Sequence, residues 1–439
     1  MIKSAHIKKT NSPKTYQWIL VLLVIVMALR IVSYFTLFPE SVGLTRGLKT
    51  GMRFFLTGFS ILFWFRLRIQ HPTITFSYDN RLSGIFYGFY VLLSVASVLW
   101  STDVMFTLLQ LAMLFESIVF VWVFYHLMIF GESLTEGRAS FAKIMGISVA
   151  IISFIFILGQ EFDPETYYRG THGGAVSRLG GFIINPNELG MLSVIGATMA
   201  YVRFWQGGGK FWNITFWGLN VSVLLMTQSR SSRSAFLLVS LVFVLMSKNT
   251  WLRLGTLVVG IFAIPYLIQK IIIKEGNIDE VLSMTGRLPF WSDLLTYGFP
   301  ERPILGYGCM SISSSPYTNK FDSIHAYAAS MTHNTFVQVL INLGLVGAFI
   351  VIIQMFLTFR AVVVSHNSKL KITAFAMLIP ILINSFTEFG IFGEANYGIY
   401  FYHLIILMFI VSKSEKKFQV RPGIYTQKKK EMEAAISGF

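Results

Sequence analysis

The sequence holds a single cysteine, Cys309, among 439 residues, so an intramolecular disulfide is impossible and a zinc site would lack its usual sulfur partners. Charge is scarce too. Asp, Glu, Lys and Arg make up 13% of the chain, too few for a soluble domain of this length. Acidic residues are the scarcer sign, 21 against 36 basic ones. The outer connections carry no DxD-like pair: Asp163, Asp279, Asp293 and Asp322 are scattered, which gives a divalent cation no carboxylate set to bind. His325 has no partners for a metal either, and no internal repeat is visible.

What the chain has in abundance is apolar: 54% of its residues are hydrophobic and the mean hydropathy is +0.62. A membrane helix needs about 20 apolar residues to cross about 30 Å of hydrocarbon with its backbone satisfied internally, and the long uninterrupted runs fit that and not a β-barrel's alternation. The expectation is an all-α polytopic membrane protein of about twelve helices, over about 16–37, 52–67, 83–100, 105–130, 141–159, 187–205, 211–228, 233–247, 251–270, 334–359, 371–388 and 397–412. This divides the chain into an N-terminal segment 1–15, nine helices over 16–270, an outer loop 271–332, three helices over 333–412 and a basic tail 413–439. The first run lacks a small-residue cleavage site and reads as a retained anchor.

The formal charge of +15 does not point to nucleic acid, because the basic residues gather in alternate short connections: Arg66 and Arg68, Arg138 and Lys143, Lys210, Lys248 and Arg253, Lys369 and Lys371. These are the loops expected inside, together with both termini and the tail residues Lys413, Lys416, Lys417, Arg421 and Lys428. The tail is a topology determinant that can also touch anionic lipid.

Arginines on the expected outer face break this pattern: Arg169 and Arg178, Arg230 and Arg233, Arg287 and Arg302. Arg pairs bidentately with phosphate and keeps its charge, so such a cluster suits an anionic lipid headgroup, above all a pyrophosphate. Snorkelling to phospholipid or capping of helix ends is the plainer explanation for any one of them.

The outer segment 271–332 is too long for a simple connection and should be structured. Apolar residues from Val281 to Leu295 recur at roughly helical spacing, broken by Gly286 and Pro289, as in short interfacial helices. Gly306 and Gly308 around Tyr307 permit a tight turn near a substrate. Trp291, Tyr297, Tyr307, Tyr317 and Tyr327 could stack on sugar rings or form an interfacial belt. His333 opens the next helix beside Asn334, where an imidazole can take a proton from a sugar hydroxyl, or where either residue can simply cap the helix. Glu388, costly inside an apolar helix, either lines a polar lumen or pairs with an arginine.

Four segments resemble the bacterial O-antigen ligase and O-antigen polymerase superfamily: Arg178 with GGFIINPNELG at 180–190, TQSRSSRSAFLL at 227–238, TGRLPFWSDLL with RPILGYG over 285–308, and HNTFVQVLINLGLVGAF at 333–349. NSFTEFG at 384–390 extends the likeness, whereas the first five helices match in hydropathy alone. The resemblance implies a GT-C-like helical fold and a metal-independent, inverting glycosyl transfer from an undecaprenyl-pyrophosphate-linked oligosaccharide at the outer face of the bacterial cytoplasmic membrane. It further implies His333 and Arg287 as catalytic residues, with Arg178, Arg230, Arg233, Asn187, Asn334, Tyr307 and Trp291 holding the lipid-linked sugar. The serine-arginine motif aligns equally on Arg230 or Arg233; one helical turn sets them about 4.5 Å apart along the axis, close enough to share one pyrophosphate.

The implied acceptor is either a second lipid-linked repeat unit, making the protein a polymerase that a chain-length regulator could accompany, or a lipid A core, making it a ligase. GRLPFW and PERPILGYG look closer to exopolysaccharide polymerases. A transporter of lipid-linked sugars would share the helix count and basic loops, but transporters place ionisable residues near the midplane and show repeated halves. A many-helix sensor would not need Arg and His gathered on one side.

Overall fold

The computed structural model describes residues 16–134, 141–171, 176–247, 249–251, 253–256, 258, 287–311, 332–388, 390–393 and 396–414. The expected span at 251–270, most of the outer loop, His325, Tyr317, Tyr327 and both terminal segments lie wholly or largely outside them. Every other expected span falls on a helix: α1 Gln17–Val32, α2 Val42–Gln70, α3 Leu82–Ala96, α4 Val104–Leu134, α5 Phe141–Phe162, then, after the short α6 Pro164–Tyr167, α7 Pro186–Trp205, α8 Lys210–Met226 and α9 Arg230–Met246. Two short helices, α10 Arg287–Asp293 and α11 Phe299–Glu301, flank a π turn over Leu294–Gly298 and precede α12 Thr335–Val364, α13 Ser368–Ser385 and α14 Tyr397–Ile410.

Among the described residues, five helical stretches can cross a membrane by length and composition: Leu82–Leu99, Val104–Leu134, Phe141–Phe162, Thr335–Val364 and Ser368–Ser385. Helices α1 and α14 are apolar but shorter. The protein is therefore an integral membrane protein, mostly helical as expected. Among the described residues it also contains two small antiparallel pairs: β1 Thr75–Tyr78 with β4 Val411–Ser414, and β2 Tyr168–Thr171 with β3 Val176–Leu179. The first closes one end of the bundle by tying the α2–α3 connection to the end of α14.

Helix α7 is the axis of the packing and meets α5, α8, α9 and α13. The local sequence explains its start: Asn185 caps it by accepting from the Asn187 amide, and Pro186 occupies the first turn, where its missing N–H costs nothing. Further along, Gly190 lets α9 approach, since a Cβ there would stand 2.6 Å from the Ser232 Oγ. Polar side chains bind the other helices. Tyr402 on α14 donates to the Gln354 Oε1 at 2.7 Å, and Gln354 on α12 reaches Ser83 of α3 at 3.2 Å, as polar groups join helices inside a membrane.

A buried ionic cluster joins α1, α2 and α4, and nothing in the sequence pattern announced it. Both oxygens of Glu116 accept from Arg30, at 2.6 and 2.8 Å, and Arg53 approaches the same carboxylate at 3.2 and 3.3 Å. Arg30 is fully buried, and its guanidinium lies 4.4 Å over the Phe120 ring.

The RPILGYG and NLGLVGAF segments interlock through their backbones. Gly344 takes φ +63 inside α12, opening a kink that a side chain would disfavour. At the kink the amides of Leu345 and Val346 donate to the Pro303 and Ile304 carbonyls at 2.8 and 3.2 Å. In return the Ile341 and Asn342 carbonyls accept from Tyr307 and Gly308 at 3.1 and 2.9 Å. The helix is broken, yet none of these groups is left without a partner.

Candidate functional site

The first side chains to place are those whose elements end together. Helix α7 begins at Pro186, α9 at Arg230, α10 at Arg287 and α12 at Thr335, and α13 ends at Ser385. Three of these starts are capped in sequence: Asn185 as above, Ser229 by accepting from the Ser232 amide, and Asn334 by accepting from the amides of Phe336 and Val337 at 2.9 and 3.1 Å. Each cap is worth about 1 kcal/mol to its helix. More to the point, it fixes the entry angle of the segment that carries a functional side chain.

At the meeting point sits Glu388, just beyond the end of α13 rather than inside an apolar helix as its sequence suggested. Its carboxylate is 5% exposed and serves three partners. Arg287 donates to Oε1 at 2.6 Å, Asn187 Nδ2 donates to the same oxygen at 2.7 Å, and His333 Nδ1 meets Oε2 at 3.0 Å. Arg287 also donates to the Thr387 carbonyl, so its position is doubly fixed. Burial by itself would raise the carboxyl pKa; the His333 hydrogen bond and the Arg287 charge outweigh it and bring Glu388 down to about 2. An ionised carboxylate can only accept, so His333 Nδ1 carries the proton of this hydrogen bond, and in the neutral tautomer Nε2 is left as an acceptor.

The Asn187 side chain passes the arrangement on. Its Oδ1 accepts from Arg178 on β3, whose Nε also donates to the Thr227 carbonyl at 2.9 Å, and its carbonyl accepts from the Ser232 hydroxyl at 3.2 Å. Burial depresses Arg178 to about 10; Glu388 opposes that, while Arg169, Arg230 and Arg233 push the same way. A guanidinium at that value is still charged at neutral pH. Crowding of like charges is a cost, and an anion bound among them would relieve it.

His333 itself is strained. Its φ is +47, a left-handed conformation that few non-glycine residues adopt. Hydrogen bonds on both sides hold it there: the Thr332 hydroxyl donates to the Asn334 carbonyl at 3.0 Å, and Trp291 Nε1 donates to the Thr332 carbonyl at 2.7 Å. Such strain, of about 1–3 kcal/mol, persists where the surroundings enforce it, commonly at functional sites.

The structure thus brings Arg178, Asn187, Arg287 and His333 together around Glu388, with Trp291 steadying the histidine turn and Arg230 near enough to act on Arg178. The other expected site residues have different employment. Asn334 is 7% exposed and its Oδ1 is taken up by the cap. Tyr307 is turned inward. It is 2% exposed within a cluster of Phe290, Leu294 and Ile341, and its hydroxyl donates to the Gly298 carbonyl at 2.7 Å or to Glu301 at 2.9 Å. Gly306 and Gly308, at φ +66 and +105, do make the expected tight turn. The turn seats on the α12 kink and on the α3–α4 connection, where Thr102 donates to the Tyr307 carbonyl at 3.0 Å. Arg233 donates to the Leu225 carbonyl at 2.6 Å and the Gln228 side chain at 2.8 Å, bracing the α8–α9 turn. Among the described residues, no three His, Cys, Asp or Glu side chains gather as a metal site would need.

Sequence reasoning marked Glu388 as a residue with a partner but did not place it at the centre. The signal was there, a lone carboxylate in NSFTEFG between apolar helices. Its partners lie 55, 101 and 201 positions away, and no local pattern reaches that far.

Residues 215–352 match the family model described as O-antigen ligase. The matched segment contains Arg230, Arg233, Arg287 and His333, so over it the chain is similar to the O-antigen ligase family. Arg178, Asn187 and Glu388 lie outside the matched residues and join the site only through folding. We found no match to the chain among curated proteins.

Proposed function

We propose that the protein is a metal-independent, inverting glycosyltransferase that moves a glycan from undecaprenyl pyrophosphate to a saccharide hydroxyl at the outer face of the bacterial cytoplasmic membrane, acting as an O-antigen or exopolysaccharide polymerase. The observation that carries this reading is the single carboxylate of Glu388, which holds both His333 and Arg287 at the mouth of an arginine cluster. Glu388 fixes the imidazole with Nε2 as its proton acceptor, as the third member of a nucleophile-activating triad orients the base.

In the reaction the acceptor oxygen forms a bond to C1 of the donor sugar while the bond from C1 to the pyrophosphate oxygen breaks. The hydroxyl proton passes to His333 Nε2, and the lipid pyrophosphate leaves with the bond's electron pair. Arg287, Arg178 and Arg230 supply fixed positive charge where that negative charge grows, which preorganised groups do without reorganisation cost. A lipid pyrophosphate is already a good leaving group, so holding and orienting it is most of the task.

The test is incubation of the purified protein in detergent with an undecaprenyl-pyrophosphate oligosaccharide and a chelator, with product length read on a gel. Wild type is expected to produce a ladder, and His333→Ala and Arg287→Ala to lower its rate by about 100-fold or more. Transfer that appears only when lipid A core is supplied would reassign the protein as a ligase. Lipid movement across vesicles without transfer to either acceptor would overturn the enzyme reading.

A further inference from the structure

Away from Glu388, the first half of α2 carries a second row of positive charge. Arg46, Lys49 and Arg53 follow one another at spacings of three and four, so they share one face of the helix. The row runs inward: Arg46 is exposed, Lys49 half-buried and Arg53 6% exposed. Its inner end is the Arg30, Arg53 and Glu116 cluster, where two guanidinium groups share one carboxylate and one positive charge is left over. Surplus charge inside a membrane protein is expensive and is retained where it serves a function or meets a partner.

The row also adjoins the His333 site. Lys49 Nζ donates to the Thr36 hydroxyl at 3.2 Å, and the Thr36 amide donates to the Ile183 carbonyl at 2.7 Å, two residues before the Asn185 cap of α7. Arg53 lies 4.8 Å over the Tyr34 ring, and Tyr34 meets the Tyr397 ring edge-on at 5.8 Å at the start of α14. Beside the row, Gly43, Gly47 and Gly51 line an adjacent strip of α2 where an added Cβ would meet nothing within 4 Å. An open strip of this kind lets an extended lipid chain lie against the helix backbone.

We propose that this face of α2 seats the lipid-borne phosphate of the acceptor, opposite the donor pyrophosphate at Arg178, Arg230 and Arg287. The inference rests on the transfer reaction above and adds a second anion site to it. Transfer between two membrane lipids needs two phosphate seats close to one base, and the positive row on α2 reaches the segment leading into α7 through Lys49, Thr36 and Ile183. Arg46 and Lys49 make the contact at the interface. Arg53, held by Glu116 and Tyr34, supplies fixed charge beneath it.

The experiment compares wild type with Arg46→Gln/Lys49→Gln, which leaves the buried cluster and the Glu388 network intact. Initial rates are measured with a donor whose terminal hydroxyl is blocked, against an acceptor given either as a lipid-linked repeat unit or, separately, as lipid A core. The acceptor KM is expected to rise about tenfold, on the scale of removing two cationic contacts to an anionic lipid, while donor KM and kcat stay within about twofold. The acceptor whose KM moves identifies the phosphate. In parallel, native mass spectrometry counts lipids retained from a mixture of undecaprenyl pyrophosphate and lipid A core: two for wild type and for His333→Ala, one for the double variant. An unchanged acceptor KM and lipid count, or a rise in donor KM instead, overturns the proposal. An equal loss of retained phosphatidylglycerol does so as well, because it reduces the row to a contact with bulk headgroups. If wild type transfers nothing, the functional reading fails, and the lipid count still decides whether the second seat exists.

Discussion

Asn187 donates to Glu388 at 2.7 Å across 201 positions of sequence, and this contact joins the start of α7 to the turn after α13. Through it Arg178, which binds the other end of the Asn187 amide, and His333, which binds the other oxygen of Glu388, belong to one network. A displacement at either end is felt at the imidazole, because each link is at least partly buried and is coupled to the next through a shared side chain.

Glu388→Gln keeps the shape of the side chain and removes its charge, so Arg287 loses its ion pair and His333 loses the partner that fixes its tautomer. The kcat for transfer is expected to fall about 100-fold or more, with a smaller change in KM. The pH dependence has a definite sign. The Glu388 carboxyl is lowered in the folded protein from 4.5 to about 2, so its contribution to stability is complete above the ordinary carboxylate pKa and is lost as pH falls through that window. Melting temperatures between pH 5 and pH 2, in steps of about half a unit, should decline more steeply for wild type than for Glu388→Gln.

Arg230 and Arg233 should separate. Arg233 spends hydrogen bonds on the Leu225 carbonyl and Gln228, so Arg233→Gln is expected to lower the melting temperature with little change in donor KM. Arg230→Gln should raise donor KM by about tenfold, the scale of one lost charge-assisted contact to phosphate. Steady-state kinetics and thermal melts on the two variants decide between them.

Tyr307→Phe removes a hydroxyl that serves Gly298 and Glu301 inside the fold. A stability loss of about 1 kcal/mol is expected, with sugar transfer near the wild-type rate. A large rise in KM without a stability change would return Tyr307 to the sugar site.

Gly344→Ala places a Cβ at φ +63 against the Ile304 carbonyl. Strain of about 1–3 kcal/mol is expected from the backbone alone, and the interlock with 303–308 should loosen as well. Gly88→Ala is the control: its Cβ meets nothing within 4 Å, and in a helix it should be neutral or stabilising by about 0.5–1 kcal/mol. Thermal melts of the two variants, side by side, test whether the kink is required.

Much of the bundle was legible from hydropathy, because crossing a membrane imposes a length and an apolar composition on each helix separately. The cap at Asn334 was equally local: a short polar side chain before an apolar run can bond the free amides of the first turn without help from elsewhere. The arginines and His333 stood out because charge placed against the topology rule needs a reason, and the motifs around them repeat those of a known family. What the sequence determined by itself, then, was the set of helices and most of the charged side chains available to a site. Only the tertiary structure decided how they are used. It made Glu388 the hub, turned Asn187 into a link, sent Tyr307 and Arg233 to structural work, and buried Arg30 with Glu116. Each of these depends on which of several far-apart segments comes within about 3 Å of another, the reach of a hydrogen bond. Helical periodicity carries no information about that distance, since it is set by the packing of the whole bundle.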